Sequence, residues 1–194
     1  MIKVSKSLIH WNYFLALERD LETTSRYIEF IEANFKTYSI ELAHLLLASS
    51  SEIDVVIKGL CALIAPGEKR ENIDDYRKII KSHLPEFIDE SIFINRYGIS
   101  LKPWDNWLGE VNPNWWRSYN KVKHERDIYF DQANLENVIR SMGALLITNY
   151  HFYKKQFENE QGVTFEPKVV IDKLQLKSEF IKLNSSYYYD VVVV

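Results

Sequence analysis

The sequence is poor in the residues that build disulfide frameworks, flexible linkers and membrane spans. It contains a single cysteine, Cys61, so an intrachain disulfide and a cysteine-based metal cluster are both excluded. Six glycines and five prolines are too few for a low-complexity or linker-rich chain. No apolar run reaches the length of about eighteen residues that suggests a membrane span, so we expect no membrane-spanning helix.

The motifs of several enzyme classes are also missing. The chain has no Walker loop, no GxGxxG and no GxSxG, and its five histidines lack metal-ligand spacing. We therefore expect neither a metal nor another cofactor. The first residues, MIKVSKSLIHWNYF, lack the uninterrupted apolar segment and the small-residue cleavage site of a signal peptide, so we expect a cytoplasmic protein.

The overall composition is that of a soluble globular protein. The chain has 194 residues, of which 46% are apolar and 26% charged, so it is long enough to bury a sizeable core. Its net charge of -3 argues against a protein coated in positive charge for nucleic-acid binding, but it allows a local basic patch. Twelve tyrosines and an aromatic content of 14% predict extensive ring packing.

Apolar residues recur at helical spacing along most of the chain, which predicts a mainly α protein, an up-and-down bundle of about five helices. The second helix is apolar on most sides and is predicted to be central and buried. In the first helix, Glu18 lies on the polar face. Residues 85–111 lose the periodicity and predict a short helix followed by a long connection, either functional or packed on the bundle surface. The predicted helices are 7–31, 39–65, about 72–84, 113–126 and 133–157.

The C-terminal part has a different character. The segments KVVID, KSEFIKL and YYYDVVVV are rich in β-branched and aromatic residues and are separated by polar breaks. They predict two or three strands after Gly162. We therefore divide the chain into a helical bundle, residues 1–160, and a small β-rich appendage, residues 161–194. So short a β element is not stable alone, so it should pack on the bundle or pair with another chain.

The most informative stretch is NWWRSYNKVKHERDIYF, residues 114–130, which places Arg117 and His124 seven residues apart. On a helix, two residues seven apart share a face, because they point in directions that differ by about 20°, and they lie about 10.5 Å apart along the axis. Asn120 and Lys121 lie between the two on that face. Arg holds two phosphate oxygens at once, and His gives or takes a proton near neutral pH, so the pair suits metal-independent cleavage of RNA.

Other interpretations of this stretch remain open. An Arg and a His at this spacing, with charged neighbours, also describe an ordinary solvated helix face. The two tryptophans before Arg117 are either core anchors or platforms for base stacking. Lys121, Lys123 and Arg126 would attract an RNA backbone. On the second helix, Asp54 and Lys58 are either a supporting polar pair near the motif or a structural ion pair.

The string WWRSYNKVKHER, residues 115–126, resembles the WW-x-x-YN-x-VKH-x-R form of the Arg-x4–6-His signature in the HEPN superfamily (higher eukaryotes and prokaryotes nucleotide-binding domain), as found in uncharacterised bacterial members. The earlier FKTYSIELAHLLLASSSEIDVVIKGLC is similar to the second helix of such proteins. The resemblance covers about residues 12–157 and leaves out the predicted β appendage.

The resemblance implies a helical bundle that forms a homodimer, with the Arg-His motifs facing one another in a cleft. It implies a metal-independent endoribonuclease of a toxin–antitoxin, phage-defence or RNA-processing system, with RNA as substrate and a cognate antitoxin protein as partner. By motif, Arg117 and His124 are its catalytic pair, with Ser118 and Asn120 as supporting residues. Active members often have Asn, Asp or His where this chain has Ser118. Other members have lost catalysis and bind nucleotides or partner proteins, which is the alternative function.

Overall fold

The structure, a computed structural model, describes residues 7–175 and 177–189. In this part the chain forms eight α-helices and one two-stranded antiparallel sheet, which confirms a mainly α fold with a short β element. The elements are α1 (Ile9–Thr24), α2 (Ile40–Ile64), α3 (Ile73–His83), α4 (Glu86–Asp89), β1 (Ile92–Ile94), β2 (Ile99–Leu101), α5 (Asn114–His124), α6 (Arg126–Tyr129), α7 (Leu135–Gln161) and α8 (Pro167–Lys173). The helix count exceeds the predicted five because three short helices, α4, α6 and α8, accompany the long ones.

Side-chain caps set the starts of three helices. Ser39 accepts a hydrogen bond from the backbone of Leu42 before α2, and Asn72 does the same for the first turn of α3. Asn134 accepts from the backbone N–H of Asn137 at the start of α7. Such caps satisfy N–H groups that have no partner within the helix. The predicted starts of α2 and α3 are therefore confirmed.

Helices α2 and α7 pack along each other at the centre of the bundle, and α1, α3 and α5 pack around them. The contact is mostly apolar, and within it Ser49 and Ser141 share a buried hydrogen bond of 2.8 Å. The prediction that the second helix is buried is thus confirmed. Across residues 7–175 and 177–189, no helix has both the length and the apolar character required to cross a bilayer.

The connection between α4 and α5 contains the β-hairpin, which the sequence pattern did not predict. Strands β1 and β2 are only three residues long, and Gly98 between them adopts a left-handed φ of 63° that few other residues tolerate. After the hairpin, Trp104 and Trp107 are completely buried and contact each other and Phe87 through tilted rings. The connection is therefore held down by its aromatic side chains and packs as part of the core.

The C-terminal segment differs from the prediction. KVVID lies in helix α8, because Pro167 suits a first helical position and Val170, Ile171 and Leu174 then point together into the core. Packing overrides the β preference of these residues. Among the described residues after Gly162, only Lys182 keeps β pairing, through two hydrogen bonds of 2.8 Å with Phe93.

Of the last predicted strand, YYYDVVVV, residues 187–189 form the end of a short 3-10 turn and the residues that follow it. Residues 190–194 lie outside the described part. The segment from α8 to Leu183 shares one hydrophobic cluster with the helices of the bundle, so it packs on the bundle.

A buried carboxylate holds this C-terminal segment in place. Glu18 on α1 is 4% exposed, although the sequence pattern puts it on the polar face. One of its oxygens accepts hydrogen bonds from the Ser178 hydroxyl at 2.5 Å and from the backbone N–H groups of Phe180 and Ile181 at 3.0 and 2.8 Å. Several donors to one buried carboxylate offset the cost of removing its charge from water.

We expect Glu18→Ala to lower the free energy of unfolding by at least about 3 kcal/mol, because it leaves buried donors without an acceptor. Chemical denaturation followed by circular dichroism measures the change. The matched control is Glu22→Ala, one turn along α1, where a half-exposed carboxylate meets Arg96 at 2.9 Å and its removal should cost much less stability because solvent screens the pair. Equal losses in the two variants would contradict the anchoring role.

A second prediction concerns the contact between the hairpin and α7. A Cβ atom on Gly143 would lie 2.7 Å from Cγ1 of Ile92, well inside van der Waals contact. Gly143→Ala should therefore destabilise the fold by about 1–3 kcal/mol, despite the better helix propensity of alanine. Gly67→Ala, where the new Cβ meets nothing within 4 Å, is the control. The idea fails if Gly143→Ala melts at or above the wild-type temperature.

Candidate functional site

Helix α5 is amphipathic, and its apolar face anchors it to α2 and α7. Trp115, Tyr119 and Val122 are buried at spacings of four and three residues. The Trp115 ring nitrogen donates to the carbonyl of Pro103 at 2.9 Å, and Trp116 is 9% exposed. Both tryptophans are therefore core anchors and not stacking platforms, and the opposite face of α5 is free to carry polar groups.

A buried arginine holds the chain just before α5. The sequence predicts a helix that starts at residue 113, and α5 begins one residue later, at Asn114, without a side-chain cap. The Asn112 side chain instead accepts a hydrogen bond from Arg77 at 2.9 Å. Arg77 is 7% exposed and also pairs with Asp74 at 3.1 Å. A buried guanidinium needs acceptors, and Asn112 supplies one.

Arg117 and His124 both lie on the exposed face of α5, which is one continuous helix between them. They are therefore within about 20° of the same direction and about 10.5 Å apart along the axis. The Arg117 guanidinium donates to the side-chain oxygen of Asn114. The side chain of His124, the last residue of α5, forms no hydrogen bond or ion pair with the residues that the structure describes. Neither side chain is sealed inside the bundle.

The Arg117 side chain lines a polar pocket of about 700 Å³ between α5, the turn before α7 and the start of α7. His124 does not line this pocket. We call it the Arg117 pocket. Its cationic residues are Arg117, Lys121 and Lys36, its acidic residues are Asp131 and Glu136, and its neutral polar residues are Asn114, Ser118, Gln132, Asn134 and Asn137.

Hydrogen bonds between neighbouring segments make the wall of the Arg117 pocket rigid. The buried Ser118 hydroxyl donates to the side-chain oxygen of Gln132 at 3.1 Å, which ties α5 to the turn before α7. Asn137 donates to the Gln132 carbonyl at 2.9 Å, and Asn134 donates to the Asp131 carbonyl at 3.1 Å. Ser118 therefore has a structural partner, and the pocket is preformed by side chains from both segments.

Charges within the pocket are partly compensated. Glu136 lies between Lys36 at 3.0 Å and Arg140 at 3.2 Å. Burial opposes ionisation of Glu136, but the hydrogen bonds from Lys36 and Arg140 outweigh it, so the pKa of Glu136 falls below its ordinary value of 4.5. Glu136 is thus an ionised, paired wall residue, while Arg117 and Lys121 form no ion pair with a carboxylate of the described residues.

The other polar residues predicted for the site on α5 contact different neighbours. Lys121 lies over the Tyr129 ring at 4.7 Å and Lys123 over the Tyr119 ring at 5.6 Å. Asn120 donates to the carbonyl of Trp116 in its own helix at 2.9 Å and does not line the Arg117 pocket.

Arg126 is separated from these residues because α5 ends at His124, two residues before the predicted end. It begins the short helix α6 and lines a different pocket of about 410 Å³, beside His44 and Phe130. Of the three predicted RNA-binding residues, the structure therefore brings only Lys121 into the Arg117 pocket.

Asp54 and Lys58 do not form an ion pair, although their spacing on α2 allows one. Asp54 instead accepts a hydrogen bond from the Tyr76 hydroxyl of α3 at 3.2 Å, and Lys58 is exposed. Burial, together with the nearby Asp54 carboxylate, raises the pKa of Tyr76. Asp54 thus links α2 to α3, and no described contact joins it to Arg117 or His124.

Sequence reasoning missed several residues of the pocket, among them Lys36, Asp131, Gln132 and Asn137. They come from two separate segments, so no spacing along one helix could group them with Arg117. The one available signal was Asn134, a helix-capping residue type directly before a strong apolar stripe.

Sequence reasoning also missed a buried cluster on the far side of α7. His151 and the Tyr187 hydroxyl both contact one oxygen of Glu90, at 2.5 and 2.6 Å. Burial, and then the Glu90 carboxylate, raise the pKa of Tyr187. This cluster joins the C-terminal segment to α7. In the described part of the chain, no group of three or more His, Cys, Asp or Glu side chains is placed to hold a metal ion.

We expect Glu136→Gln to lower the free energy of unfolding by about 0.5–1 kcal/mol at pH 7, because it removes the charge that Lys36 and Arg140 share. Because the folded-state pKa is lowered, this stabilisation is present above pH 4.5 and is lost as the pH falls through the folded value. Denaturation curves at several pH values between 7 and 4 measure the difference. Glu41→Gln, at an exposed carboxylate, serves as the control. A stability difference between Glu136→Gln and the wild type that stays the same from pH 7 to pH 4 would contradict a role for the Glu136 charge.

Comparisons of this sequence and of this structure with known proteins find no match to a protein family, to a curated protein or to a solved structure.

Proposed function

We propose that the protein is a HEPN-like, metal-independent endoribonuclease or RNA-binding protein, of the kind used in toxin–antitoxin or phage-defence systems. The observation that carries the proposal is the exposure of Arg117 and His124 on one face of α5, with Arg117 opening into a polar pocket. The resemblance of residues 115–126 to the HEPN signature supports it. In this proposal, a guanidinium and an imidazole on one surface are available together to a polyanion.

The chemistry requires no added nucleophile, because RNA carries its own 2′-hydroxyl. The 2′-oxygen forms a bond to phosphorus while the bond from phosphorus to the 5′-oxygen breaks, leaving a 2′,3′-cyclic phosphate and a 5′-hydroxyl. One proton leaves the 2′-oxygen and one reaches the 5′-oxygen. His124 makes one of these two transfers, and water makes the other. Arg117 binds the phosphate oxygens and stabilises the charge that develops on them.

Cations near the motif supply the attraction for an RNA backbone. Lys121 and Lys36 line the Arg117 pocket, and Lys123 and Arg126 are exposed nearby in the sequence. The net charge of the whole chain is -3, so the attraction is local to this surface. Because each neutralised phosphate releases counterions, RNA binding should weaken steeply with added salt.

A second candidate function is a non-catalytic helical dimer that binds a partner protein, such as a cognate antitoxin, or a nucleotide. An exposed apolar surface near α6 favours it. Ile40 is 64% exposed, Tyr38 51% and Ile128 64%, and Tyr38 contacts the Phe130 ring at 5.5 Å. Exposed apolar side chains that lie close together are typical of protein-binding surfaces.

The test of the first function is cleavage of structured and unstructured RNA by purified protein in EDTA. We expect cleavage that leaves a cyclic phosphate and a 5′-hydroxyl. His124→Ala and Arg117→Ala should each lower the rate by at least about 100-fold, because each removes one half of the proton-transfer and charge-stabilising pair.

The matched controls replace an exposed arginine and an exposed histidine elsewhere, Arg26→Ala and His83→Ala, and should retain the wild-type rate. Cleavage that EDTA abolishes, or that persists in His124→Ala, would show that the activity does not belong to this pair. Intact RNA in every reaction, together with a dimer that retains bound RNA or protein, would support the second function.

A further inference from the structure

We infer that the Arg117 pocket binds the base of a guanine nucleotide whose phosphate contacts Arg117, with Asp131 as the residue that selects the base. The inference rests on the proposed function, because it names the part of an RNA that this site would recognise. It has its own test, since a mononucleotide binds whether or not the protein cleaves RNA.

The size and the composition of the pocket fit one nucleotide. Its volume of about 700 Å³ lies within the range of about 300–1,000 Å³ typical of small-molecule sites. Arg117 and Lys121 supply cations for a phosphate, while Asp131, Gln132 and Asn137 supply polar groups for a base. Both kinds of group line one pocket, as a phosphorylated nucleoside requires.

Two acceptor atoms in the wall of the pocket have no donor partner. The Oδ1 oxygen of Asp131 and the side-chain oxygen of Asn137 accept no hydrogen bond from any residue within the described ranges, and Asn137 is 7% exposed. The other amide oxygens are occupied, since Gln132 accepts from Ser118 and Asn134 accepts from the Asn137 backbone. A ligand whose edge carries donors would satisfy these two oxygens, while Arg117 and Lys121 supply donors for its phosphate.

Guanine has the edge that these acceptors need. Its N1–H and N2–H2 groups are adjacent donors that match the two oxygens of a carboxylate, because Oδ2 of Asp131 has a second lone pair beside the one that accepts from Gln132. Cytosine and adenine instead place a ring acceptor next to their amino group. Uracil flanks its single N–H with two carbonyl oxygens, which a carboxylate repels. Single-stranded RNA exposes these base edges for recognition. Asp131 is held for this role by Gln132, which donates to its second oxygen at 3.3 Å.

The experiment measures binding of 5′-GMP, 5′-AMP, 5′-CMP and 5′-UMP to the full chain in EDTA by isothermal titration calorimetry. GMP should bind at least about tenfold more tightly than the others, in line with the discrimination that one two-bond contact to a base provides. Asp131→Asn should remove most of this preference, because its amide presents a donor to the donor edge of guanine. Arg117→Ala should weaken all four nucleotides alike.

Asp20→Asn, at an exposed carboxylate on α1, is the matched control and should keep the GMP preference. Equal binding of the four nucleotides, binding of none, or a GMP preference that survives Asp131→Asn would overturn the inference. RNA cleavage that depends on His124 but ignores guanosine would overturn it while the proposed function stands. Selective GMP binding without RNA cleavage would support this inference and contradict the proposed nuclease function.

Discussion

The packing of α2 against α7 is the contact on which the other elements depend. Each helix presents an apolar face to the other, so packing them together removes a large hydrophobic surface from water. Helix α5 contacts both of them, and its apolar side chains fix its rotation about its own axis. The exposed positions of Arg117 and His124 follow from that rotation.

Two buried polar anchors complete this arrangement. Arg77 holds the chain before α5, and Glu18 accepts backbone and hydroxyl hydrogen bonds from the C-terminal segment. A buried charge is tolerated only where several partners satisfy it, so each anchor specifies one local arrangement of the chain. A polar contact also fixes the wall of the Arg117 pocket, because the hydrogen bond between Ser118 and Gln132 joins two segments that meet only in the folded chain.

Much of the helical framework could be predicted from local patterns. Ser39 and Asn72 mark helix starts because their side chains accept backbone N–H groups, and this needs no tertiary contact. The C-terminal KVVID could not be predicted in this way, since its β-branched residues favour a strand locally while their burial on one face favours the helix. Within the candidate site, sequence periodicity could group only the residues on α5.

The sequence by itself determined that the protein is mainly helical and that Arg117 and His124 share one helix face, because helical spacing follows from backbone geometry alone. The tertiary structure alone decided that Arg117 meets Asp131 and Asn137 in one pocket and that Arg126 belongs to another. It also decided that Glu18 is buried. These facts depend on how distant segments meet, and side-chain packing in the assembled core settles that.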